Sequence, residues 1–205
     1  MENNNVPNLT KDKDLVFASF HAKDEANAWR NAADIILKKD YPNRQACILL
    51  ILSSELYLKS LLMVLGINVM STFRNNDGHN LFKLYDALPD EELKQAIFNN
   101  VSCNEWEIDT GTQKYSINTF DEYLKEISKG FIDYRYEYEK YLNDIIINIP
   151  IEFILNLNYI LNAICNNLTY EAIYPDGKIS DIKKPEMICY YRNKEVFTLH
   201  KRKSF

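Results

Sequence analysis

The stretch that decides the fold is "ILLILSSELYLKSLLMVLG", residues 48–66, in which apolar residues occupy nearly every side of a helix. Such a helix is covered on several sides, so we predict a central helix from about Asn43 to Leu65, ended by Gly66. Glu55 and Lys59 stand in its middle. At about 100° per residue they lie about 40° apart on an apolar line, which predicts a partly buried ion pair that needs further partners.

The same stretch is long enough to span a membrane, but its charges argue against that role. Each charge would cost roughly 2.5 to 3.5 kcal/mol near the centre of a bilayer. The start of the chain, "MENNNVPNLTKDKD", lacks the apolar region of a secretion signal. We therefore expect no membrane partner and a cytoplasmic protein.

The sequence does not indicate a metal, a disulfide framework or a cofactor. Its 4 cysteines are widely separated, with no CxxC pair and no Cys/His cluster. It also lacks the GxGxxG, P-loop, GxSxG and HExxH motifs, and its 5 glycines leave little material for a phosphate-cradling loop. We expect reduced thiols, no metal site and no cofactor.

The chain around the central helix predicts further helices, because apolar residues recur at helical spacing in other segments. The predicted segments are 23–39, 81–88, a helix opened by Pro89, 118–141 and a helix that begins beside Pro150. Residues 102–117 show no sustained period and contain a "DTGT" turn, so a loop is expected there. The expected fold class is all-α, an antiparallel bundle of five to six helices.

Three regions follow from this pattern. Residues 1–20 are predicted to be a disordered arm, residues 21–173 the bundle and residues 174–205 a basic extension. Within the extension, "MICYYRNKEVFTLH" predicts a short β-hairpin about a polar Asn193-Lys194 centre.

Charge is distributed unevenly along the chain. The net charge of -5 gives no electrostatic argument, for the chain as a whole, that it binds nucleic acid. From Lys178 to the end, however, 8 basic residues face 3 acidic ones. This end is either a segment that contacts a polyanion or simply a solvated tail.

A charged strip is expected along one face of the central helix. Arg44 falls within roughly 20° of Glu55 on the same helical projection, so both share that strip with Lys59. On the later helix, Arg135 flanks an apolar stripe, and its permanent charge requires a carboxylate or a phosphate if it is partly buried. Glu55 or Glu139 could supply the carboxylate. The strip is thus either a structural ion-pair network or a phosphate-binding groove.

Three segments carry a family resemblance: "SSELYLKSLL" (53–62), "GHNLFKLYDAL" (78–88) and "FIDYRYEYE" (131–139). In this order they resemble the HEPN superfamily of helical bundles, over roughly residues 23–170. Its members include RNA-cutting toxins, phage-defence effectors and non-catalytic proteins that bind RNA or nucleotides. The resemblance implies a homodimer in bacterial defence or a toxin-antitoxin setting, with a nucleotidyltransferase or an antitoxin as a possible protein partner.

The ribonuclease motif of this superfamily is incomplete here. Catalytic members pair an Arg with a His after four to six intervening residues, so that two copies in a dimer flank one RNA phosphate. Arg135 matches the Arg, but the positions for the His hold Lys140, Tyr141 and Leu142. A lysine amine stays protonated near neutral pH and is a poor general base. We therefore expect a protein that binds RNA or a nucleotide-like ligand, or regulates a partner, without catalysis.

The predicted site has two sets of residues. Phosphate contacts are assigned to Arg44, Lys59, Arg135 and Lys140, and orienting roles to Glu55 and Glu139. One alternative is a metal-independent ribonuclease in which Arg135 acts with His79 from another helix. Capping or packing is the plainer role for His79. A second alternative is a structural interaction module, in which the charged strip only fixes the register of the helices.

Overall fold

The structure is a computed structural model that describes residues 8–73, 75–101, 103, 106–109, 114–135, 150–173 and 186–192. This part of the chain is mostly helical, as the sequence predicts. Its α-helices are α1 (Lys13–Leu37), α2 (Arg44–Val64), α3 (Val69–Thr72), α4 (Leu81–Asp86), α5 (Glu91–Asn100), α6 (Phe120–Arg135) and α7 (Ile151–Asn166). A 3₁₀ helix, Asn75–His79, precedes α4. Two hairpins, β1 (Trp106–Asp109) with β2 (Lys114–Ile117) and β3 (Leu168–Ile173) with β4 (Glu186–Tyr191), complete it.

The central helix lies where the sequence predicts it. The side-chain oxygen of Asn43 accepts a hydrogen bond from the backbone N–H of Ala46 at 3.1 Å, which caps the first turn of α2. At the other end Gly66 has a φ of 90° and the backbone N–H of Ile67 bonds to the carbonyl of Leu62, as in glycine-terminated helices. Helices α1, α4, α6 and α7 pack around α2.

The apolar length of α2 is explained by burial in the protein. It is the one described helix that is long and apolar enough to cross a membrane, and 72% of its most apolar window is buried inside the fold. Burial on several sides by other helices accounts for an apolar helix of this length. The absence of a membrane partner and the cytoplasmic location stay predictions.

The directions of the helices are mixed. Helix α1 runs antiparallel to α2, because Ser19 bonds to Ser60 and Ser53 bonds to the carbonyl of Ala26. Helix α7 runs parallel to α2, because Asn158 contacts Leu50 whereas Cys165 contacts Tyr57. The predicted bundle is therefore antiparallel only in part.

The first helix begins earlier than predicted. Residues 13–20, which the sequence pattern placed in a disordered arm, form the first turns of α1. Asp12 is the reason for this start, because its carboxylate accepts hydrogen bonds from the backbone N–H groups of Asp14 and Leu15. Val16 and Ser19 are buried against the rest of the protein, so the added turns belong to the bundle.

A β-hairpin replaces part of the loop predicted for residues 102–117. Strands β1 and β2 pair antiparallel, with Trp106 opposite Ile117 and Asp109 opposite Lys114. Residues 110–113, which include most of "DTGT", lie outside the described residues. In both strands apolar residues alternate with polar ones, which is the period of a strand.

The C-terminal hairpin is only partly as predicted. Residues 186–191 form strand β4, but their partner is β3, which the sequence pattern assigned to the last helix. Helix α7 ends at Asn166. Residues 193–200, the predicted second arm of the hairpin, lie outside the described residues.

Hydroxyl groups and one lysine attach the C-terminal sheet to α1. The phenol of Tyr170 lies 2.7 Å from Ser19 Oγ, and Ser19 Oγ donates to the carbonyl of Ser60. Lys23 Nζ donates to the carbonyl of Leu168 at 2.8 Å. Burial raises the pKa of Tyr170 and lowers that of Lys23. These bonds satisfy polar groups that packing removes from water.

Candidate functional site

A buried carboxylate on α2 gathers two basic side chains. Glu55 Oε1 accepts hydrogen bonds from Lys59 Nζ at 2.6 Å and from His79 Nδ1 at 3.1 Å. The exposed fraction of the side chain is 6% for Glu55, 19% for Lys59 and 57% for His79. We call these three residues the Glu55 cluster. It joins the core helix to the protein surface.

Local structure explains why these side chains meet. Glu55 and Lys59 are four residues apart on α2, so they share one face of the helix. His79 ends the 3₁₀ helix, and Asn80 caps α4 by accepting the N–H of Lys83 at 3.0 Å. Leu81 follows Asn80 in the chain, and its backbone N–H donates to Ser128 Oγ on α6 at 2.8 Å. These bonds fix the turn that carries His79.

The carboxylate determines the tautomer of the imidazole. An ionised carboxylate has no proton to give, so His79 Nδ1 must carry the hydrogen of their bond. In the neutral ring Nε2 is then the basic atom. Since the ring is more than half exposed and its partner is buried, the cluster presents an oriented imidazole at the surface.

This arrangement suits two kinds of chemistry. A carboxylate that orients an imidazole is a common arrangement for general acid–base catalysis. The ammonium of Lys59 has three N–H donors, of which Glu55 takes one, so it can also bind an anionic group. With a neutral imidazole the cluster has no net charge, and with a protonated imidazole its net charge is +1. No group of three or more metal-ligating side chains occurs within the described ranges.

The predicted site residues are distributed between this cluster and other places. Glu55 and Lys59 form the partly buried pair that their spacing predicts. Among the described side chains the further partner is His79. The predicted contact of Arg135 with this pair stays a prediction, because its side chain lies outside the described part. Arg44 is the first residue of α2, and eleven residues correspond to about 16 Å along a helix, so it does not reach Glu55.

Arg135 is the last residue of α6. The structure describes residues 130–135 through their backbone alone. Position 135 is seven residues beyond Ser128, nearly two turns, so both positions lie on the same face of α6, about 10 Å apart along the axis. Ser128 contacts the start of α4 through the N–H of Leu81. Glu139 and Lys140 lie outside the described residues.

Comparison of the chain with protein-family models, with curated proteins and with solved structures gives no match. The resemblance to the HEPN superfamily therefore stays a prediction that depends on the three sequence segments.

Proposed function

We propose that this is a HEPN-like protein that binds RNA or a nucleotide-like ligand at the Glu55 cluster, without a complete catalytic pair. The observation that carries the proposal is the convergence of Lys59 and His79 on one buried carboxylate. Glu55 holds the ammonium of Lys59 and the imidazole of His79 in place, which lowers the entropic cost of binding a phosphate. Arg135 is a further phosphate contact in this proposal, because it matches the Arg of the superfamily's motif.

The proposal extends to the assembly of the protein. We propose a cytoplasmic homodimer with a nucleotidyltransferase or an antitoxin as its protein partner, in a defence or toxin-antitoxin setting. These features come from the family resemblance.

Binding of single-stranded RNA tests the proposed function. We expect His79→Ala to weaken binding about tenfold, or ~1.4 kcal/mol, near the lower end for a hydrogen bond to a charged group. The measurement is fluorescence anisotropy of a labelled RNA at two salt concentrations, because phosphate contacts weaken as salt rises. Arg135→Ala should weaken binding as well.

The matched control is His21→Ala, which makes the same change on α1, where His21 packs against the rings of Phe17 and Phe20. It should leave RNA binding unchanged. Binding that is insensitive to salt, or equal losses in the His79 and His21 variants, would count against the site.

A second candidate function is metal-independent cleavage of RNA. The specific observation in its favour is the bond between Glu55 and His79 Nδ1, which orients the ring as a general base needs. His79 would then replace the His that is missing from the ribonuclease motif, and Arg135 would contact the phosphate. A structural module, the remaining alternative, predicts that Arg135→Ala changes stability and no ligand binding.

A further inference from the structure

A second cationic side chain lies on the same edge of the fold as His79. The ammonium of Lys125, on α6, lies 4.2 Å from the centre of the Phe82 ring, on α4. An ammonium at this distance from an aromatic face is attracted to the ring and held there. Lys125 is exposed, so its charge is held at the surface.

Lys125 attracts the carboxylate of Glu122 through space, but within the described residues it forms no ion pair of the kind that its neighbours form. On the same edge, Lys83 pairs with Asp77 at 2.6 Å and Lys129 with Glu126 at 3.0 Å. The acid one turn before Lys125 is Glu122, whose carboxylate accepts the N–H groups that precede α6, those of residues 118 and 119, each at 3.2 Å. The hydroxyl of Thr119 also bonds to Glu122 and lowers its pKa, and the charge of Lys125 contributes to that lowering.

Lys125 and the Glu55 cluster are close enough to contact one strand of nucleic acid. Phe82 follows His79 by three residues, which limits the separation of their Cα atoms to about 10 Å. The bond from Leu81 to Ser128 joins α4 to α6 between them. Three residues of chain and the ring of Phe82 thus separate His79 from the ammonium of Lys125, a distance that a strand of a few nucleotides covers.

The openness of the site also distinguishes between ligands. Pockets for small molecules are concave and bury most of the ligand. Single strands of nucleic acid instead bind along open surfaces that present cations to successive phosphates. His79 is more than half exposed and Lys125 is exposed, so this edge is of the open kind that binds single strands.

We infer that the ligand of the Glu55 cluster is a single strand of RNA and not a free nucleotide, and that Lys125, held by Phe82, contacts a second phosphate of the strand whose phosphate binds at His79. The inference rests on the proposed function. It adds a binding position on α6 and assigns Phe82 as a positioning residue that fixes the ammonium.

The test compares UMP with an oligouridine of about ten nucleotides, a length within the usual range for single-strand sites. The oligouridine should bind at least tenfold more tightly than UMP. Lys125→Gln should weaken oligouridine binding severalfold and lower the salt slope by about one, because one phosphate contact is lost. Binding of UMP should not change. Phe82→Leu should weaken oligouridine binding less than Lys125→Gln, because the ammonium remains.

The matched control is Lys38→Gln, which removes an exposed lysine at the far end of α1. Equal binding of UMP and oligouridine, or equal effects of the Lys125 and Lys38 substitutions, would overturn the inference and leave the proposed function standing. No binding of either ligand to the wild type would overturn both.

Discussion

Replacing Lys59 with Met will lower the free energy of unfolding by about 3 kcal/mol, at the lower end of the cost of breaking a buried ion pair. The loss arises because the carboxylate of Glu55 stays buried after its ammonium partner is removed. His79 still donates to the same oxygen, which keeps the cost at the lower end of that range. Urea denaturation of the wild type and the variant measures the difference.

A comparable lysine elsewhere provides the control for this prediction. The side chain of Lys94 is 17% exposed, close to the 19% of Lys59, but its partner Glu91 is 83% exposed. Lys94→Met should therefore cost less than about 1 kcal/mol, as for exposed ion pairs. Adding Glu55→Gln to Lys59→Met should recover part of the stability, because the buried charge is removed. Similar losses for Lys59→Met and Lys94→Met would mean that Glu55 is not the buried centre of the cluster.

The second large effect concerns cleavage. If the protein cuts RNA, we expect His79→Ala to reduce the rate at least about 100-fold, the usual contribution of a general base. His79 Nε2 would take the proton of a ribose 2′-hydroxyl, whose oxygen would attack the adjacent phosphorus and displace the 5′-oxygen of the next nucleotide. The departing 5′-oxygen would take a proton from water, and His79 would return its own proton to solvent. The products would be a 2′,3′-cyclic phosphate and a free 5′-hydroxyl, formed in EDTA because no metal takes part.

The cleavage experiment separates the base from the residue that positions it. His21→Ala should retain the wild-type rate. Glu55→Gln should lower kcat with little change in KM and should alter the pH profile, because Glu55 orients His79 without touching the RNA. No cleavage by the wild type would exclude the ribonuclease and leave the binding function. Cleavage that persists in His79→Ala would show that another residue is the base.

The sequence predicted the centre of the fold well. An apolar helix with two charges four residues apart can be arranged in few ways. Helical spacing puts Glu55 and Lys59 on one line, and burial requires them to pair. Gly66 and Pro150 marked the end of α2 and the start of α7, because glycine readily adopts the positive φ that ends a helix and proline fixes its own φ. These features depend on residues close together in the chain.

The errors concern features that depend on distant residues. Strand β3 continues the apolar spacing of α7, and its pairing with β4 overrides that local signal. His79 lies 24 residues from Glu55, and nothing in the local pattern states which side of the turn faces α2. The cap at Asn80 could be anticipated from "GHN". The contact between His79 and Glu55, in contrast, depends on how α4 packs against α6, which the local sequence does not state.

The tautomer of His79 tests the central claim most directly. The ¹⁵N–¹H correlations of the imidazole rings, recorded in the wild type and in His79→Ala to assign the signal, show which nitrogen of His79 carries a proton. The account predicts a proton on Nδ1, held by the carboxylate of Glu55. A neutral ring with its proton on Nε2 and none on Nδ1 would contradict the Glu55 cluster and, with it, the proposed site.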